Sequence, residues 1–174
     1  MNRLDWVREN AEGDIIDIGG QAGHTFENAT VVDIDEYEGV IQADAHDLPF
    51  EDNRFDTAVL AEVLEHVEDP VQVLKEARRV AGKIIITVPN EYEWPDELNP
   101  LMTPEEKAEA KGKSLEELAG ESKALEVNKN YEHLWHRRFY TKELLESHLE
   151  QAGIKKYMIN SLEDGKFVFF TVII

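Results

Sequence analysis

The apolar positions of this chain fall into runs of strand length, separated by polar turns and by a few stretches with helical spacing. Ile15–Ile18 reads as a buried strand, with Thr30–Ile34 as a second and Val40–Ala43 as a weaker third. Phe55–Ala61 is a fourth, mostly apolar run. Lys83–Val88 is the clearest, because a continuous β-branched run predicts a central parallel strand covered on both faces. Helical spacing appears over residues 2–11, where Leu4 and Val7 share a side with Trp6 near it and Gly13 ends the pattern. A second helix opens at Asp69 as N-cap with Pro70 in the first position, carries Val73, Leu74, Ala77 and Val80 inward, and stops at Gly82. Thr141 caps a third, Lys142–Ala152, with Leu144, Leu145, His148 and Leu149 inward and Gly153 just past its end. Ile154–Ile159, the turn Asp164-Gly165 and Lys166–Ile174 predict an antiparallel pair that closes the sequence.

The connections are short. About a dozen residues separate the first two strands, close to the minimum for a parallel crossover, so any helix between them is brief. Asp35–Gly39 is too short for a crossover helix and returns as extended chain. Residues 91–136 are the opposite case: too long for a simple connection, with three prolines, many acids and lysines, and two short helical patterns at Pro104–Lys111 and Ser114–Leu125. They read as a lid inserted over a site, or alternatively as a mobile or oligomer-forming arm. The whole, residues 1–174, reads as one α/β domain.

Composition narrows the function. Acidic residues number 37 against 18 Lys and Arg, a net charge of −19. Nucleic-acid binding relies on basic contacts, so DNA and RNA are not expected partners; a neutral or cationic small molecule suits this field better. No cysteine is present, which excludes thiolate metal sites and cysteine nucleophiles. No apolar run approaches membrane-spanning length and the first ten residues have no signal-peptide core, so a cytoplasmic protein, monomer or homodimer, is expected.

The parallel strands deliver four loops to one sheet edge. The first, Asp14-Ile-Ile-Asp-Ile-Gly-Gly-Gln-Ala-Gly23, is a strand running into a glycine turn, which lets the backbone approach a ligand. Asp33 or Asp35, at the end of the second strand, suits the two hydroxyls of a ribose, and Asp44 suits an exocyclic amine. No GK[ST] follows the glycines, and their spacing is not that of the dinucleotide fingerprint. A pyrophosphate would be repelled by these acids; a neutral or cationic nucleoside would not.

On these residues the chain resembles the class I S-adenosylmethionine-dependent methyltransferases of the small-molecule type, from about Asp14 to Ile174 and least over residues 91–130. Asp17-Ile-Gly-Gly-Gln-Ala-Gly23 is similar to the family's first motif, with Gln21 where a glycine is usual. Asp44-Ala-His-Asp-Leu-Pro-Phe50 resembles the segment around adenine. Phe55-Asp-Thr-Ala-Val59 and Glu62-Val-Leu-Glu-His-Val-Glu-Asp-Pro70 resemble the fourth strand and its following loop. The resemblance implies a Rossmann-like, seven-stranded, mostly parallel sheet of order 3-2-1-4-5-7-6 with strand 7 antiparallel, and S-adenosylmethionine as cofactor. It assigns cofactor contacts to Asp17, Gly19, Gly20, Gln21, Gly23, Asp33 (with Asp35 as rival), Asp44, Ala45, His46 and Glu62. His66, past the fourth strand, is a candidate general base or a residue that shapes the pocket. His133 and His136, in the aromatic stretch Tyr131–Tyr140, are candidate catalytic or substrate-wall residues; as a pair they lack an evident third metal ligand, so no metal is assigned. Trp135, Phe139 and Tyr140 there read as lid packing or substrate contact, and Arg137 or Arg138 as an anchor for a substrate anion. The implied function is methyl transfer to a small-molecule acceptor. The alternatives are a non-catalytic relative with a regulatory or scaffolding role, and a protein methyltransferase.

Overall fold

The computed structural model describes residues 1–20, 23–95 and 136–174. Seven strands form one sheet: β1 (Ile15–Ile18), β2 (Thr30–Asp33), β3 (Ile41–Gln42), β4 (Phe55–Ala61), β5 (Ala81–Pro89), β6 (Met158–Asp164) and β7 (Phe167–Ile173). Their spatial order is β3-β2-β1-β4-β5-β7-β6. β3 to β5 pair in parallel, and β7 runs antiparallel between β5 and β6. This is the topology the sequence implied. Among the described residues three α-helices accompany the sheet: α1 (Arg3–Asn10), α2 (Pro70–Val80) and α3 (Lys142–Gln151).

Alternation along the central strands sends side chains to two unequal layers. Ala58, Leu60, Ile84 and Ile86 join Leu74, Ala77, Tyr140, Leu145 and Leu149 in the main core under α2 and α3. Val59 and Ile85 point the other way and meet Val7 of α1, with Trp6 and Phe26 packed alongside. Neither the β1–β2 link nor the β2–β3 link holds a helix among its described residues, and the second is too short for one.

Three boundaries differ from expectation. Gly82 does not stop α2: the helix ends at Val80, Ala81 is already extended, and the chain enters β5 at once because Ala81 pairs with Phe55. The strand expected at Ile154–Ile159 begins at Met158 instead. Ile154 is used to close α3: its N–H bonds Leu149 O at 2.9 Å, Gly153 N–H bonds Glu150 O at 2.9 Å, and Gly153 takes φ +76°. That is the paired 6→1 and 5→2 closure of a Schellman end, with the apolar Ile154 side chain buried. The hairpin sets the rest, since Asp164 pairs with Phe167 and the turn is Gly165-Lys166 alone. At the other edge β3 shrinks to two exposed residues, a short edge strand bonded only to β2. The helices expected within residues 104–125 lie outside the described residues.

The long loop between β3 and β4 also has no helix to hold it. Arg79 of α2 does that work. Its guanidinium donates to Leu48 O at 2.9 Å and Phe50 O at 2.6 Å and pairs with Glu76 at 2.7 Å, while Glu76 accepts the Leu48 N–H at 2.9 Å. Arg79, in the last turn of α2, is thus a clamp on the loop that carries Asp44.

Candidate active site

The end of β1 explains its glycines. Gly19 donates to Val32 O at 2.7 Å, and a Cβ there would stand 2.7 Å from Val63 Cγ2. A Cβ on Gly20 would stand 2.5 Å from the Asp17 carboxyl carbon. Gly23 turns in open space, and Gln21 lies outside the described residues. Asp17 is 2% exposed, and its Oδ2 has no hydrogen-bond partner. Burial pushes this carboxyl up to about 6, against the opposing pull of Thr25 and of the charges on His24 and Arg3.

A cleft of about 580 Å³ opens over the C-terminal ends of β1, β2 and β4. Asp33, Asp35, Tyr37, Asp44, Ala45 and His46 line one side, and Gly19, Val63 and His66 the other. Asp33 Oδ1 accepts the Asp35 N–H at 2.9 Å, a tight turn that keeps both acids at the rim. Asp44 Oδ1 accepts the His46 N–H at 2.9 Å and lies 2.6 Å from His46 Nδ1. The His46 backbone N–H is the main cause that holds the Asp44 carboxyl below its ordinary value. His46 Nε2 in turn accepts the Asp69 N–H at 3.2 Å. A backbone N–H can only donate, so Nε2 carries the lone pair and Nδ1 the proton given to Asp44. Both ring nitrogens of His46 are thus engaged, and this residue positions Asp44 against the start of α2.

A second recess of about 340 Å³ joins the first through Gly19, Glu62 and His66. Asp17, Gly20, His24, Thr25 and Arg3 line it. Glu62 has φ +59°, a left-handed backbone that a non-glycine residue seldom adopts, at the point where β4 ends. Its N–H bonds Thr87 O at 2.9 Å and its carboxylate pairs with Arg3 at 2.7 Å. Arg3 is further held by Asp164, which accepts its backbone N–H at 2.8 Å, and stacks over Phe169. Nothing in the sequence of α1 pointed to Arg3 as part of the site.

Past Glu62 the chain makes a tight turn that brings a second set of groups together. Glu65 is fully buried, and neither carboxylate oxygen has a hydrogen-bond partner among the described residues. Burial above all, then the charges of Glu62 and Glu91, raises its carboxyl well above the ordinary range. His66 Nε2 lies 4.0 Å from Glu65 Oε1, and the His66 ring packs edge-on against His136 at 4.8 Å between centroids. His136 Nδ1 lies 2.5 Å from Oε1 of Glu91, a fully buried acid just past β5. His66 and His136 are therefore neighbours; His133 and Trp135 lie outside the described residues. Arg138, an expected anion anchor, donates to the carbonyls of Leu64 and Glu68, and Tyr140 is fully buried in the core. Arg137 lines the cleft. Glu65 and Glu91 escaped sequence reading because an acid beside a strand end reads as solvated until its burial is seen.

The comparisons agree with this fold. A methyltransferase-domain family model matches residues 19–85. A protein of Streptomyces fradiae, described as an uncharacterized 37.1 kDa transposon protein, is 38% identical over 73 residues, covering 40% of this chain but only 19% of that one. The whole sheet superposes on a Thermotoga maritima structure described as a SAM-dependent methyltransferase, possible histamine N-methyltransferase, with a TM-score of 0.61, 20% identity, and coverage of 98% and 86% of the two chains. It also superposes on the N-terminal domain of EvdMO1 with SAH bound, at TM-score 0.55 and 15% identity, covering 98% of this chain and 79% of that one. The chain has the class I S-adenosylmethionine-dependent methyltransferase fold, and its first half carries the methyltransferase-domain segment.

Proposed function

We propose that the protein transfers the methyl group of S-adenosylmethionine to a small-molecule acceptor. The observation that carries this reading is a pair of recesses that share Gly19, Glu62 and His66 in their walls, one rimmed by Asp33 and Asp44 and the other lined by the buried Asp17, whose Oδ2 has no hydrogen-bond partner among the described residues. The residues present suit the cofactor. Asp33 or Asp35 accepts from ribose hydroxyls. Asp44, held by His46, would accept from the adenine amine, and Ala45 beside it would contact the ring. Gly20 leaves room over Asp17 for the methionine end, whose ammonium supplies the positive partner that Asp17 Oδ2 otherwise lacks.

When bound, the sulfonium supplies an already activated methyl group. The acceptor's lone pair forms a bond to the methyl carbon while the carbon–sulfur bond breaks, its electrons stay on sulfur as a neutral thioether, and the acceptor's proton goes to a base or to water. The protein's tasks are therefore alignment and exclusion of water. His66 stands on the wall shared by both recesses, where it orients the acceptor or takes its proton. The strongly acidic chain favours a neutral or cationic acceptor over a nucleic acid. No described helix is long and apolar enough to cross a membrane.

A methyl-labelled transfer assay against pooled metabolites tests the reading. Label should move to a low-molecular-weight product and fall at least tenfold in Asp33→Ala. Label reaching only protein would replace the small-molecule reading with protein methylation, and no transfer by folded protein that binds SAH would replace it with a non-catalytic role.

A further inference from the structure

The cluster beyond β4 has a composition that methyl transfer alone does not require. Glu65, His66 and His136 each offer a ligand atom, and these atoms lie within 4.8 Å of one another. Glu65 is fully buried with both carboxylate oxygens unpartnered and faces His66. A buried carboxylate without partners is costly, and the nearby charges of Glu62 and Glu91 make that worse; Glu62 is already paired with Arg3. An added cation would offset all of this at once.

We propose that Glu65, His66 and His136 bind one divalent transition-metal ion at the inner end of the cofactor cleft. Two imidazoles and a carboxylate suit the borderline-soft ions of the first transition row better than magnesium. Ligands around such an ion stand roughly 3.3 Å apart, so side-chain rotations of about an ångström close the set. Glu91 completes the arrangement from behind. Its Oε1 lies 2.5 Å from His136 Nδ1, so an Nδ1–H donated there leaves Nε2 as the metal-binding atom. His66 and His136 remain partly exposed while Glu65 is sealed, so the ion keeps open positions on the cleft side.

Those open positions assign an acceptor class, a part of the inference that rests on the methyl-transfer reading. An acceptor hydroxyl held on the ion loses its proton to water more readily. Its oxygen lone pair then forms the oxygen–carbon bond as the carbon–sulfur bond breaks. The acceptor is therefore an alcohol, phenol or enol with a second oxygen able to chelate.

Full-length protein, stripped with chelator and returned to metal-free buffer, is titrated calorimetrically with ZnCl2 and separately with MnCl2. One ion per chain should bind with a dissociation constant of micromolar or tighter. Glu65→Gln and His136→Gln should each weaken it at least tenfold, and Asp44→Asn, which breaks the other carboxylate–imidazole pair of the cleft, should not. Circular dichroism and thermal unfolding of every variant establish that it is folded. The wild type loaded with Co2+ should show visible absorption of a low-coordinate nitrogen and oxygen site, a readout that needs no variant. Absence of stoichiometric binding, or binding that survives both substitutions, overturns the site. A metal site in a protein that transfers no methyl group would leave the site standing and remove the acceptor assignment.

Discussion

Gly20 lies so close over Asp17 that a Cβ on it would stand 2.5 Å from the carboxyl carbon. The two residues form one element: a buried acid with a passage above it that no side chain fills. Gly20→Ala should therefore push Asp17 or the loop aside. The expected cost is about 1–3 kcal/mol of stability by denaturant unfolding, together with a loss of SAH affinity of at least tenfold.

Asp17 also sets a pH dependence. Its carboxyl is raised from 3.8 to about 6 by burial, so the folded protein keeps a proton that the unfolded chain has released. Stability from this group is full below pH 3.8 and is lost as pH rises through about 6. Asp17→Asn removes the loss. The variant should be more stable than wild type at pH 8, by up to roughly 3 kcal/mol, with the gap closing towards pH 4. A ligand ammonium over Asp17 favours the ionised form, so wild-type affinity for SAH should rise with pH through about 6 and the variant's should not. Unfolding curves and calorimetry at matched ionic strength measure both.

The Arg79 clamp predicts coupling between a helix surface and the cleft. Arg79→Ala would remove donors from Leu48 O, Phe50 O and Glu76 together, leaving Glu76 as a buried acid without its cation. A loss of about 2–3 kcal/mol is expected, and SAH should bind more weakly although Arg79 does not line the cleft. A conservative Arg79→Lys should recover little, because one ammonium cannot reproduce the forked geometry.

His46→Ala should act through Asp44. It removes the ring contact to Asp44 Oδ1 and the acceptor for the Asp69 N–H. Affinity for adenosine-containing ligands should fall while discrimination against inosine analogues, which lack the exocyclic amine, narrows. Competition titrations with SAH and its inosine analogue measure the ratio.

The sheet was legible because its signals are local and agree with each other. β4 and β1 are apolar runs bounded by polar turns, Asp69-Pro70 marks a helix start in chemistry alone, and the terminal Gly165 turn orders two antiparallel strands. The misplaced start of β6 shows the limit: Ile154 is apolar and β-branched, but tertiary burial under the end of α3 used it as a cap contact. Gly82 misled for the same reason, since pairing of Ala81 with Phe55 overrode its usual role as a stop. In the site, Asp33, Asp44 and the glycines were legible because each lies at or just past the C-terminal end of a parallel strand. Arg3, Glu65 and Glu91 were not. Their roles come from contacts 26 to 161 residues away or from burial, and neither leaves a mark in local spacing.

The central claim is that the joined recesses hold the cofactor, and calorimetric titration of the full-length protein with SAH tests it most directly. The account predicts one site per chain, with affinity reduced at least tenfold in Asp33→Ala and in Asp44→Ala while both variants stay folded. Folded wild type that binds neither SAH nor S-adenosylmethionine, or binding that is indifferent to both substitutions, would contradict it.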